Sequence, residues 1–170
     1  MKCFEILLSL LILLSNSVEQ EINLNKENKK NIELSAICYS LDNAGESFNH
    51  YTNYFNEYSK KNDLNIIIKL NFISSTNSTL SFNNMGIMME DLLSKKSSKY
   101  DIVFYDNSLT SLYGPYLINL SKWLPKEHID MYNKEILSLT GYYDNYLVGL
   151  VIFNENLHKK INFFLFLFLI

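Results

Sequence analysis

The sequence predicts an α/β fold in which a mostly parallel sheet is covered by helices on both faces. Three observations carry this prediction. Strand-like and helix-like segments alternate between Ile32 and Tyr105, the run Leu64 to Ile73 is apolar on both faces, and the intervening segments carry apolar stripes at helical spacing. A strand–helix–strand–helix–strand order implies right-handed crossovers that lay the strands side by side and parallel. With 170 residues, 48% of them apolar, there is material for one modest domain or part of a larger one.

Taken from the amino terminus, Met1 and Lys2 make a short positive start and Ile6 to Leu14 is apolar apart from Ser9. Ser15 and Ser17 place small residues three and one before a cut. Residues 1–17 therefore read as a secretory signal peptide, since the apolar run falls well short of the roughly 20 residues of a bilayer span. Residues 18–31 are polar and charged, a mobile leader. Ile32 to Ser40 is the first strand. Asn43-Ala44-Gly45-Glu46 has the pattern of a capping box and opens a helix with Phe48, Tyr51, Phe55 and Tyr58 on one face. Leu64 to Ile73 is the second strand, with Ile66, Ile68, Leu70 and Phe72 sharing a face, and its two-sided apolar character predicts a buried parallel position. Met85, Met88, Met89, Leu92 and Leu93 form the stripe of a second helix, and Asp101 to Tyr105 is the third strand. Gly114-Pro115 marks a turn. Pro125 suits the first turn of a helix whose Ile129, Tyr132, Ile136 and Leu139 share one face and which Gly141 ends. Tyr142 to Val148 reads as a hairpin around Asp144-Asn145. Phe163 to Ile170 is an unbroken apolar run, and residues 151–170 read as an aberrant or truncated terminus, with an unfinished span or a buried strand as alternatives.

A formal charge of −3, no Arg and no Lys-rich face remove the electrostatic footprint of a nucleic-acid binder. The abundance of Asn and Lys with no Arg reads as the mark of an AT-rich genome. Cleavage after Ser17 removes Cys3 and leaves Cys38, a small buried side chain in an apolar run, so no disulfide scaffold is expected within the chain. Asn77-Ser78-Thr79 and Asn119-Leu120-Ser121 are acceptor sequons, which makes Asn77 and Asn119 candidate glycosylation sites of an exported chain.

No nucleophile elbow, phosphate-binding loop, dinucleotide fingerprint or zinc-protease motif is present, and His50, His128 and His158 are scattered, which reads as surface histidines. We expect no catalytic residues, no metal and no cofactor. Open α/β sheets bind ligands at the carboxyl ends of their parallel strands. Ser40, Asp42 and Asn43 follow the first strand, and Tyr105, Asp106, Asn107 and Ser108 end and follow the third. These residues offer an aromatic face and hydroxyl, amide and carboxylate groups to a polar small molecule. The competing reading makes Asp42 or Asn43, and Asn107 or Ser108, no more than helix caps.

The run Lys99-Tyr100-Asp101-Ile102-Val103-Phe104-Tyr105-Asp106, then Tyr113-Gly114-Pro115-Tyr116-Leu117-Ile118-Asn119-Leu120-Ser121-Lys122-Trp123-Leu124, resembles the third-strand region of extracellular solute-binding proteins, the maltose-binding-protein-like group of the periplasmic-binding-protein type II fold. Gly141 to Leu150 is similar to that family's hairpin, and the resemblance covers about Ile32 to Leu150. It implies a partial solute-binding lobe over residues 32–150, truncated within the first of two lobes that close on a sugar or other small solute. It also places first-lobe ligand contacts in the Ser40 to Asn43 and Tyr105 to Ser108 turns. The leader and composition also resemble solute-binding ectodomains that fungi place ahead of class C receptor-like membrane domains, so a membrane domain is expected only in a full-length form. The chain departs from the family at Val151, where Pro is usual, and the hinge stretch is shortened. With one wall of the cleft, weak or no solute binding by this chain alone is implied. The expectation is thus a secreted, non-enzymatic domain whose partner is a small solute, a sugar rather than an amino acid. An interaction module or a non-functional fragment is the alternative, and a glycan-processing enzyme using Asp42 and Asp106 is a third.

Overall fold

The computed structural model describes residues 31–40, 46–74, 78–79, 81–95, 99–153 and 162–167. The signal segment 1–17, the leader up to Lys30, Asp42, Asn43, Asn77 and His158 lie outside them.

At the centre of the sheet is β1 (Ile32–Ser40), which runs parallel to β2 (Ile66–Ser74) with Ile32 opposite Ile66 and Ser40 opposite Ser74. On its other side it runs parallel to β3 (Ile102–Asp106), from Ala36 opposite Ile102 to Cys38 opposite Phe104. Further along the chain, β6 (Leu150–Phe153) and β7 (Asn162–Leu167) extend the sheet in the order β2-β1-β3-β7-β6, with β7 antiparallel to both neighbours. Four of the five strands therefore run the same way, and much of the apolar terminal run supplies a strand backbone, Ile102 facing Leu167 and Asp106 facing Phe163.

Helix α1 (Glu46–Lys61) turns Phe48, Thr52, Phe55 and Ser59 inward, an i, i+4, i+7, i+11 series, and Phe55 is fully buried. The two polar members of that series are served locally: the Thr52 hydroxyl donates to the Phe48 carbonyl at 2.9 Å, and Ser59 Oγ accepts from the Ile66 N–H at 3.1 Å. The Asn56 amide brackets Ile68, accepting from its N–H at 2.8 Å and donating to its carbonyl at 2.9 Å. These side chains do for the outer rim of β2 what another strand would do. The second strand is parallel, as expected, but it is the edge of the sheet and not an enclosed position: Lys69 and Asn71 are exposed. An edge strand needs only its inward face apolar, and two polar residues interleaved among the isoleucines meet that requirement.

Helix α2 (Phe82–Ser94) starts at Ser81, whose Oγ accepts from the Asn84 N–H at 3.3 Å, and buries Met85, Met89 and Leu93 on the expected stripe. After β3 the chain folds through short helices: a 3₁₀ turn at Asn107–Leu109, α3 (Thr110–Tyr113), and 3₁₀ turns at Gly114–Tyr116 and Leu120–Lys122. The helix expected after Pro125 is two, α4 (Lys126–Ile129) and α5 (Lys134–Thr140). Asn133 interrupts it by capping the second, its Oδ1 accepting from the Ile136 N–H at 3.1 Å. The break resets the helical phase, so Leu137 is buried and Leu139, expected to face inward, is 77% exposed.

The hairpin is as expected: β4 (Tyr142–Tyr143) pairs antiparallel with β5 (Tyr146–Leu147), and Asp144 and Asn145 have φ of 45° and 65°, the two positive values of a type I′ turn. Gly141 does end α5, but with φ −94° and not in the left-handed region. Its lack of a side chain serves a close approach instead. Val148 and Gly149 donate their N–H groups to the Gly141 carbonyl at 2.8 and 3.1 Å, which brings the Gly149 carbonyl against the Gly141 Cα.

Candidate functional site

The order β2-β1-β3 means that the chain leaves β1 to one side through α1 and returns to its other side through α2. The contacts put these helices on opposite faces. Phe48 of α1 lies on Phe104 with ring centroids 4.7 Å apart, whereas Met85 and Met89 of α2 line a small cavity with Ile37, Tyr39, Val103 and Tyr105. The switch point thus falls between β1 and β3, and in open α/β sheets the carboxyl ends of the two strands at such a point are where a ligand crevice forms. The β1–β3 pairing ends at Cys38 opposite Phe104, so Ser40 and Asp106 each lie two residues past the last pair, at the carboxyl ends of their strands. The Ser40 side chain, Asp42 and Asn43 lie outside the described residues.

On the β3 side, Asp106 is the cap. Its backbone is extended (φ −72°, ψ 137°) and its Oδ1 accepts from the Ser108 N–H at 2.9 Å, which fixes the carboxylate at the mouth of the crevice with the other oxygen uncommitted to that bond. The competing reading gives the cap to Asn107 or Ser108; Asn107 is half-buried and Ser108 exposed, both on the turn that Asp106 caps. Tyr105 points the other way. It is 4% exposed and meets Tyr113 edge-to-face at 4.9 Å, so its ring lies under the crevice floor and not on its surface. Burial pushes the Tyr105 phenol well above its ordinary value, a hydrogen bond with Thr110 offsetting part of the effect, and burial with the Glu90 carboxylate nearby does the same to Tyr113. Neither phenol is ionised at neutral pH, and both serve as floor.

The cavity lined by Tyr39, Met85, Met89, Tyr105, Asp106 and Leu109 has an interior of about 20 Å³. That is room for one water and far too little for a sugar. Among the described residues no three His, Cys, Asp or Glu side chains are grouped as metal ligands, and no helix is long and apolar enough to cross a membrane. Cys38 is fully buried in β1, and burial pushes its thiol up to about 12.

His128, expected on the surface, is 4% exposed and packs edge-on to Tyr132 with centroids 5.7 Å apart. The signal was present: Leu124, His128 and Tyr132 recur every four residues, and all three are buried. Burial lowers its pKa from the ordinary 6.5. Below about pH 6.5 the unfolded chain takes up a proton here and the folded chain does not, so stability falls as pH drops from there toward the lowered native value. The urea midpoint should be lower near pH 5 than near pH 7.5, and His128→Gln should remove part of that difference. An unaltered pH dependence in the variant would show the imidazole to be solvated in the folded chain.

No protein-family model matches the sequence, and no curated protein matches it. Among solved structures, an extracellular solute-binding protein family 1 from Alicyclobacillus acidocaldarius superposes with a TM-score of 0.51 at 20% identity. The superposition covers 74% of this chain and 29% of that one. The chain therefore has an α/β fold similar to that of a type II solute-binding protein, and it spans under a third of that protein's length.

Proposed function

We propose that this chain is a secreted, non-enzymatic, solute-binding-type domain, and that its recognition surface is the crevice at the carboxyl ends of β1 and β3. The observation that carries the reading is the switch point: the chain crosses from β1 to β2 on one side and to β3 on the other, and Asp106, its carboxylate fixed by accepting from the Ser108 N–H, ends β3 there. Asn107 and Ser108 supply amide and hydroxyl groups beside it, and Ser40, Asp42 and Asn43, which end and follow β1 in the sequence, are the further contacts of this reading. Neutral hydrogen-bonding groups with isolated carboxylates, and no Lys among the residues from Ser40 to Asn43 and Tyr105 to Ser108, suit a sugar better than an amino acid, whose carboxylate would call for a cation. Tyr105 contributes as support beneath the ligand. A fungal receptor ectodomain is the context the leader and composition suggest, with Asn77 and Asn119 glycosylated.

Calorimetric titration of the chain with maltose, cellobiose and free amino acids tests this. Weak binding is expected of a surface with one wall; sugar binding at millimolar concentration or tighter that Asp106→Ala and Asp42→Ala each weaken roughly tenfold or more, the usual cost of losing a hydrogen bond to a charged group, would support a working half-site. Binding that neither substitution touches would sink the assignment of the crevice.

A further inference from the structure

We infer that a second saccharide site lies away from this crevice, in the groove between α5 and the β4–β5 hairpin. The groove has a volume of about 450 Å³, within the range of small-molecule sites and far larger than the cavity under Asp106. Its floor is apolar, made by Ile129 and the buried Leu137, and Tyr142 stands at its side 40% exposed. An aromatic face left in water beside an apolar floor is the surface on which the C–H face of a sugar ring packs.

The rim decides the class of ligand. Asp130 and Lys134 face each other at 3.2 Å one helical turn apart and neutralise one another. Ser138 and Asn145 add a hydroxyl and an amide; Ser138 Oγ donates its one hydrogen to the Glu135 carbonyl at 2.7 Å and so meets a ligand as an acceptor. The rim thus holds donors and acceptors in balance with no net charge. A charged ligand would have to break the ion pair, whereas a neutral polyol can bond to both members of it. The walls are also preorganised: α5 and the hairpin are tied through the Gly141 carbonyl, which accepts from Val148 and Gly149, and the turn carrying Asn145 is a tight type I′.

The test is an amide chemical-shift titration of the full, isotope-labelled chain with maltose and cellobiose to about 50 mM, well above a millimolar dissociation constant. Shifts are expected at residues 129–145. Tyr142→Leu keeps bulk at an exposed position while removing the ring face, and should weaken binding roughly two- to tenfold with the melting curve unchanged. Asp106→Ala should leave these shifts as they are, which separates this site from the crevice. No shifts with either sugar, shifts confined to residues 105–109 and lost in Asp106→Ala, or shifts produced by glutamate or lysine and not by the sugars would each overturn the inference.

Discussion

Phe104→Ala is expected to cost about 3–5 kcal/mol of stability, the range for removing a buried phenylalanine from a packed core. Phe104 is 2% exposed, lies in β3 between β1 and β7, and carries the Phe48 ring at 4.7 Å. Small domains have about 5–15 kcal/mol in total, so the loss takes a large share of the reserve and should lower the urea midpoint strongly. Phe104→Leu keeps most of the volume and gives up mainly the ring contact, so it should cost under about 1.5 kcal/mol. Urea unfolding followed by circular dichroism measures both. Near-equal, small effects of the two variants would mean that α1 does not pack on β3, and the crevice would then lose one of its diverging helices. The consequence for function is direct, because Asp106 is two residues downstream on the same strand. Phe104→Leu should hold the carboxylate in place while Phe104→Ala releases it.

Those parts of the fold that depend on local pattern were legible. Ile32–Ser40, the methionine stripe of α2 and the Asp144-Asn145 turn each carry their own signal within a few residues. What could not be read depends on how many neighbours an element acquires. Alternation cannot distinguish a central parallel strand from an edge strand whose rim is covered by Asn56 and Ser59, because that cover comes from a helix remote in sequence. The terminal apolar run is equally silent: nothing in eight apolar residues says that its backbone will lie antiparallel between β3 and β6. In the candidate site, the switch point followed from topology alone, since consecutive crossovers lie to opposite sides of β1. The orientation of Tyr105 did not follow. Four successive residues of β3 are buried, so no alternation marks which side chains turn toward solvent.

Gly141→Ala sets two opposed effects against each other. At φ −94° an alanine fits the backbone, and by restricting the unfolded chain it should stabilise by about 0.4–1 kcal/mol. Against that, a Cβ at this position would sit 2.6 Å from the Gly149 carbonyl oxygen and 2.7 Å from Leu137 Cδ1. The hairpin cannot simply step back, because the Val148 and Gly149 N–H groups are bonded to the Gly141 carbonyl, and each such bond is worth about 0.5–1.5 kcal/mol net. Leu137 is 4% exposed and has little room to swing aside. Overpacking should therefore win, with a net loss of about 1–3 kcal/mol in denaturant unfolding. The same displacement would move the hairpin wall of the groove relative to α5, so sugar-induced shifts at residues 129–145 should shrink in this variant more than in Tyr142→Leu. A neutral or stabilised Gly141→Ala would mean that α5 and the hairpin are free to separate, and the groove would lose the rigidity on which its affinity depends.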